Sequence, residues 1–351
     1  MRVFSLEEEA RSYAADASID WERLAGRTIL ITGATGLVGS WCARVLLERN
    51  RLAQGGMTVV CLVRSAEKLA TVLSGYGPDD GLVVVEGDLQ HASLDSVRAD
   101  YVIHAACPTA SDFFVNHPVE TADAVVLGTH RLLAYARDVE ARGFVYVSSM
   151  EVYGQGKPEP GLDSPLVEGD TGKMDPLAVR SSYSEGKRMA EQYCAAFASE
   201  YGVPASVVRL AQTFGPGVSA DDQRIFALCL RNAMKGDDIV LHTTGASTRM
   251  YLYIADAALA ILTVLLNGEP GRAYNAANPD TYSSVRQMAE YVAALYPEGG
   301  SQVRYEVDPD APFPPEHHLP LDVSALRALG WHPTAGLDVM FGNLALCFEE
   351  D

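Results

Sequence analysis

Two stretches carry side chains able to do proton chemistry at usable spacings. "YSEGK" sets Tyr183 and Lys187 four residues apart, and positions i and i+4 share one face of a helix. A tyrosine ionises near pH ~10, but a lysine ammonium a few ångströms away, joined by a second cation, favours the phenolate and makes it a usable base. An amphipathic helix with a surface lysine and a half-buried tyrosine shows the same spacing, so the pair counts only in company. That company is "FVYVSSMEVYG", where an apolar run through Val145 and Val147 ends in Ser148, Ser149 and Glu151. Such polar groups are costly to bury without partners. Both serines are expected to face the reacting groups, and Glu151 to serve as a base or as an acceptor that orients a loop.

A phosphate site precedes them. "TGATGLVGS" places Gly33, Gly36 and Gly39 between a strand and a helix. A tight turn, close backbone approach and open N–H groups at a positive helix end suit a pyrophosphate. Gly33, Thr35, Gly36, Leu37, Val38 and Gly39 are the candidate contacts, in GxxGxxG rather than GxGxxG spacing. The next strand ends in Arg64, with no acidic residue at 63–65 to hold a ribose 2′-hydroxyl. An arginine there can accept a 2′-phosphate, or can simply be solvated. "EGDL" offers Asp88 and Leu89 to an adenine edge, although Asp88 could equally cap a following helix. Ala105 and Ala106 close the fourth strand beside the same ligand. A dinucleotide, NAD or NADP with Arg64 leaning toward NADP, is the expected cofactor, and no metal is expected.

These residues need elements to hold them. Strand-like runs occur at "TILIT", "MTVVCLV", "LVVVE", "YVIHA", "FVYVS" and "ASVVRL". Most are continuously apolar, as in strands buried on both faces of a parallel sheet. Between them lie helical periods, the clearest after Pro118 through Ala122, Val125, Val126, Leu132, Leu133 and Ala136. The alternation predicts an α/β, Rossmann-type doubly wound parallel sheet with a smaller C-terminal lobe. Residues 1–26 form an extension and 27–212 the dinucleotide-binding domain, with a return near 249–267; residues 213–248 and 268–351 form the substrate-binding lobe. Ligands of such sheets bind beyond the carboxyl ends of the strands, which puts Ser149 and the glycine loop on one edge.

Composition narrows the class of function. The 351 residues are 48% hydrophobic, enough for a large core. A formal charge of −19 repels phosphate backbones and anionic membranes. The six cysteines are scattered without a CxxC pair, and the N-terminus lacks a basic region followed by an apolar one. A reduced, cytoplasmic enzyme is the expectation, with a second copy of the chain as partner and neither nucleic acid nor membrane.

Taken together, "TGATGLVG", "GDL", "VIHAA", "SSMEVYG", "YSEGK", "RLAQTFGPG" and "RMYLYIADAALAIL" stand in an order that resembles the extended short-chain dehydrogenase/reductases, in their nucleotide-sugar epimerase and dehydratase branch. The resemblance implies that Tyr183 is the base and that Lys187 tunes it and binds the nicotinamide ribose. It gives Ser149 the reacting sugar hydroxyl and Arg249 the diphosphate of a nucleoside-diphosphate sugar. Thr109, Met150 and Gln212 are further candidate substrate contacts. Oxidation at C4 then yields a 4-keto sugar, with an epimerase as the leading reading. A uronate decarboxylase, a 4,6-dehydratase-like enzyme and an NADPH-dependent reductase are alternatives, and a nucleic-acid-binding relative without activity is another class. Three departures from the family pattern stand out: Gln212 and Phe214 in place of Asn and Tyr, a tail "PFPPEHHLPLD" without an arginine before its aspartate, and Met150 where the 4,6-dehydratases have an acid. His317 or His318 is the candidate replacement for that arginine.

Overall fold

A computed structural model describes residues 4–53, 55–109, 111–307 and 316–349; the start of the Pro-rich tail, 312–315, lies outside them. The strands are β1 Thr28–Thr32, β2 Thr58–Val63, β3 Leu82–Glu86, β4 Tyr101–His104, β5 Gly143–Ser149, β6 Ala205–Leu210 and β7 Gln212–Phe214. They continue with β8 Ile239–Leu241, β9 Thr248–Tyr253, β10 Ala273–Ala276, β11 Asn278–Ser284, β12 Val303–Tyr305 and β13 His318–Leu319. The helices are α1 Leu6–Ala14, α2 Leu37–Ala53, α3 Ala66–Val72, α4 Ser111–Asn116, α5 Pro118–Asp138, α6 Ser182–Tyr201, α7 Ile225–Lys235, α8 Ile254–Asn267, α9 Val285–Leu295, α10 Ser324–Arg327 and α11 Leu337–Phe348.

Seven strands form one parallel sheet in the order β10-β6-β5-β4-β1-β2-β3. Alternate side chains part to its two faces. Ile29, Ile31, Val145 and Val147 join the layer of α2 and α8; Leu30, Val102, Phe144 and Tyr146 join that of α5 and α6. This is why the strands read as unbroken apolar runs. The edge strand β3 departs from the rule, leaving Val83 and Val84 more than two-fifths exposed. Every residue of α8 from Ile254 to Leu266 is buried, as a helix apolar on all sides requires. No helix among the described residues is long and apolar enough to cross a membrane.

The sequence places a return to the dinucleotide-binding domain near 249–267. Within that range α8 packs on the large sheet, whereas β9 is the centre of a second, four-stranded sheet and the last strand of the large one is β10, paired with β6. An apolar run reports burial on two faces without saying in which sheet. β11 takes one edge of β9, and β7 and β13 share the other. At residues 4–14 Ser5 caps α1, and the Glu9 carboxylate accepts a hydrogen bond from Tyr253 Oη at 2.7 Å, docking the N-terminal helix on the end of β9.

Candidate active site

The strand order reverses between β1 and β4, the crevice where open α/β sheets take ligands. Gly33 leaves β1 with φ +75°, and a Cβ there would stand 2.7 Å from Ala106 N and 2.8 Å from the Ala105 carbonyl. A Cβ on Gly39 would lie 2.4 Å from Gly33 O. One at Gly36 would meet only Gly33 O, at 3.3 Å, so its other side is open to a ligand. Behind this lip α2 begins at Leu37, where the first N–H groups of a helix lack intrahelical partners. An open glycine flank beside unpaired N–H groups fits the pyrophosphate of a dinucleotide.

A buried chain of hydrogen bonds fixes the width of the crevice. Thr129 Oγ1 donates to Val125 O at 2.6 Å, so it accepts from His104 Nε2 at 3.0 Å. His104 Nδ1 is then the bare nitrogen and accepts from Thr32 Oγ1 at 2.8 Å, whose oxygen accepts from Ala106 N at 3.2 Å. Burial first, and the charge of Lys187 second, lower the His104 pKa to about 3, so the ring stays neutral. Neither Thr32 nor His104 was a sequence candidate. Their one signal is that a polar residue ends each of two apolar strands.

On the far side of β4, Ser149 ends β5 and opens a single 3₁₀ turn, Met150–Tyr153, with its hydroxyl accepting from Glu151 N at 3.2 Å. Tyr183 and Lys187 lie in the first turns of α6, both buried. The Tyr183 ring stacks on Phe114, centroids 5.1 Å apart, and the Ser149 hydroxyl is near enough to the phenol to lower its pKa. Lys187 Nζ donates to Val147 O at 2.7 Å and stands 4.6 Å over the Tyr146 ring and 5.7 Å over that of Tyr183. Burial, with added repulsion from Cys107 and Glu151, holds the Tyr183 pKa well above 10, and the Ser149 hydroxyl pulls it down. In the protein alone the phenol therefore keeps its proton. Cys107, absent from the sequence candidates, lies close enough to Lys187 for that charge to oppose the rise that burial imposes on its thiol.

The two serines part company. Ser148 Oγ donates to Glu191 at 2.6 Å, on the side away from Ser149, because neighbouring strand residues point to opposite faces. The expectation that both face the reaction is corrected: only Ser149 meets Tyr183. Met150 is buried among core side chains.

Ser149 pairs with Leu210, and two residues on Gln212 opens β7. Gln212 Oε1 accepts from Arg249 Nη1 at 2.9 Å, and His317 Nε2 accepts from Arg249 Nη2 at 2.9 Å. Arginine has no acceptor, so it is the donor in this contact. Arg249 Nε is buried with no hydrogen-bond partner among the described residues. Of the two tail histidines, His317 meets Arg249, whereas His318 is buried against Thr248 and Glu316. Phe214 needs no hydroxyl, since its ring stacks on Phe226 at 4.3 Å and packs on Phe341.

Other candidates are more peripheral. Arg64 and Thr109 are exposed. Asp88 caps a turn rather than a helix: Gln90 N, at 2.8 Å, lowers its pKa most, then His91, with the Arg64 charge adding to both. Leu89 packs on α5 at Gly128, where a Cβ would come within 2.5 Å of it.

Residues 29–277 match the family described as the NAD dependent epimerase/dehydratase family. The chain is 31% identical over 309 residues to UDP-glucuronic acid decarboxylase 6 of Arabidopsis thaliana, covering 88% of this chain and 85% of that protein. UDP-glucose 4-epimerase from Thermotoga maritima, solved with UDP-glucose, superposes with a TM-score of 0.75 at 20% identity, over 92% of this chain and 99% of that one. UDP-glucuronic acid 4-epimerase from Bacillus cereus, in complex with UDP-glucuronic acid and NAD, gives a TM-score of 0.75 at 18% identity, over 92% and 99%. At such identities the structural likeness speaks for the fold.

Proposed function

This chain belongs to the NAD dependent epimerase/dehydratase family, and from that membership we propose that it oxidises a nucleoside-diphosphate uronic acid at C4 and removes its carboxylate. The observation that carries the reading is Glu151. It lies in the 3₁₀ turn that Ser149 opens, its N–H donating to the Ser149 hydroxyl at 3.2 Å, and its charge adds to the rise of the Tyr183 pKa, so the turn carries a carboxylate that plain epimerisation does not need. The decarboxylase relative supports the same choice.

Bound at the Gly33–Gly39 lip, NAD would supply the acceptor for the C4 hydride and return it at the end. Tyr183 Oη takes the C4 hydroxyl proton, directed by Ser149, once a second cation beside Lys187 offsets the effect of burial. The resulting C4 ketone is β to the C6 carboxylate. As the C5–C6 bond breaks, its electron pair passes through C5 to O4, where the Ser149 and Tyr183 hydroxyls stabilise the enolate. Carbon dioxide leaves, C5 takes a proton from water, and Tyr183 gives its proton back to O4 as the C4 hydroxyl re-forms. Arg249, whose Nε has no partner among the described residues, holds the diphosphate. Met150 has no proton to give to a departing 6-hydroxyl, which disfavours 4,6-elimination.

NAD is the cofactor we propose. The lean toward NADP from Arg64 has no support in the family's description or in the NAD-bound neighbour. A homodimer is proposed on the outer face of α5 and α6, where Val119, Leu127 and Met189 are exposed. None of the six cysteines is in a disulfide, which suits a reducing compartment such as the cytoplasm.

The test is chromatography and mass spectrometry of the purified protein incubated with UDP-glucuronic acid, UDP-glucose and dTDP-glucose. A UDP-pentose with released carbon dioxide is expected. A C4 epimer of the intact uronic acid would establish the second reading, in which Glu151 only orients its loop, and a 4-keto-6-deoxy product would overturn both.

A further inference from the structure

Behind the turn that carries Ser149 and Glu151 stands one guanidinium. Arg209, on β6, donates from Nε to Glu191 Oε1 at 2.9 Å and from Nη2 to Glu191 Oε2 at 2.6 Å. Its Nη1 reaches Tyr153 Oη at 2.9 Å and the Glu168 carbonyl at 2.8 Å. Glu191 Oε1 also accepts from Ser148 Oγ. Ser148 and Tyr153 bracket Ser149 and Glu151, so both ends of the turn hang on a single cation. From Tyr153 the chain continues: its hydroxyl donates to Asn275 Oδ1 at 2.7 Å, and Asn275 Nδ2 donates to the carbonyls of Leu166 at 3.1 Å and Asp322 at 3.0 Å. Asp322 follows the tail segment that brings His317 to Arg249.

Both charges of the Arg209–Glu191 pair are only 12% exposed. A buried ion pair returns little net stability compared with apolar residues of the same volume, and its best-attested use is to fix one arrangement among several. The guanidinium fork suits that use. It faces a carboxylate on one side and two oxygens on the other, which the single ammonium of a lysine cannot match.

Resting on the proposed reaction, we infer that Arg209 is a positioning residue: it sets the turn presenting Ser149 and Glu151 and, through Tyr153 and Asn275, ties that turn to the tail of the substrate-binding lobe. The test compares wild type, Arg209→Lys, Tyr153→Phe and the double variant. Arg209→Lys should speed amide hydrogen exchange across 149–154 and leave the glycine loop and cofactor Kd unchanged. It should lower kcat by about 10²-fold, the cost of a displacement near 1 Å, with little change in KM. Tyr153→Phe should show a smaller loss of the same kind, and the double variant should be no worse than Arg209→Lys. Wild-type exchange across 149–154 in Arg209→Lys would overturn the inference, as would equal losses of kcat, cofactor affinity and melting temperature. If Arg209→Lys fails to fold, Tyr153→Phe, which keeps the ring, decides by the same exchange measurement. A wild type inactive on every nucleotide sugar would defeat the reaction, while the exchange data still judge the clamp.

Discussion

At the end of the crevice proposed for the cofactor the decisive atoms are backbone: Gly33 against Ala105 and Ala106, Gly39 against Gly33, and the opening N–H groups of α2. At the end proposed for the substrate the contacts are between side chains, with Gln212, Arg249 and His317 arriving from three separate segments. The first end tolerates almost no added atom. The second can be rebuilt by changing a residue. This division suits a fold that keeps one cofactor and varies its substrates, because function is set by sites grafted on a common frame.

The comparison can be broken or sharpened in order of expected effect. Tyr183→Phe, where the two ends meet, should keep its stacking on Phe114 and its melting temperature while turnover falls by about 10²–10⁴-fold. Near-normal product formation by chromatography would remove the proton chemistry from this residue. Gly33→Ala puts a methyl group against the Ala105–Ala106 backbone at φ +75°. Strain of ~1–3 kcal/mol should appear in the melting curve together with lost NAD binding, and unchanged calorimetric affinity would show that the lip is not closed as described. Arg249→Ala, at the side-chain end, should weaken nucleotide-sugar binding by ~1.5–3 kcal/mol without moving NAD affinity. A loss of both would mean that the ends are not separable.

A pH experiment probes the hydrogen-bond chain under the lip. His104 protonates near pH ~6.5 when unfolded and at about 3 in the fold. Between those values the unfolded state binds the extra proton. Stability from this group is therefore complete above pH ~6.5 and falls by up to ~1.4 kcal/mol per pH unit as pH drops toward 3. Urea titrations at stepped pH should show a shallower decline for His104→Gln, and parallel slopes would place the ring elsewhere. The smallest effect is expected for Arg64→Ala, whose exposed side chain should change NAD affinity by under ~0.5 kcal/mol. A selective loss of NADP binding in direct titration would return that arginine to the cofactor site.

The cofactor end is also the more legible one. Glycine spacing between a strand and a helix states a backbone requirement in the sequence itself, and strands buried on both faces announce themselves as apolar runs. β3 was legible from its valines although the fold leaves two of them exposed at the sheet edge. Side-chain destinations were harder to read. Ser148 and Ser149 are the same residue type one position apart, and only strand alternation sends one to Glu191 and the other to Tyr183. "TRMYLY" reads like a strand of the large sheet but is the centre of the small one, a matter of partners far along the chain. The meeting of Arg249 with His317 spans 68 positions, beyond any local pattern.

The late arrival of β10 has a consequence for how the protein is made. β6 leaves the ribosome with one edge bare, and the strand that covers it, Ala273–Ala276, follows only after β7, α7, β8, β9 and α8 have been synthesised. Until then the half-finished sheet presents unpaired N–H and C=O groups, the feature that invites pairing with another chain. The buried helix α8 emerges immediately before β10 and covers the adjoining face. Translation thus delivers the cover for the face just before β10, which moves the open edge outward to a shorter strand whose Asn275 N–H is already taken by the Glu168 carboxylate at 2.9 Å.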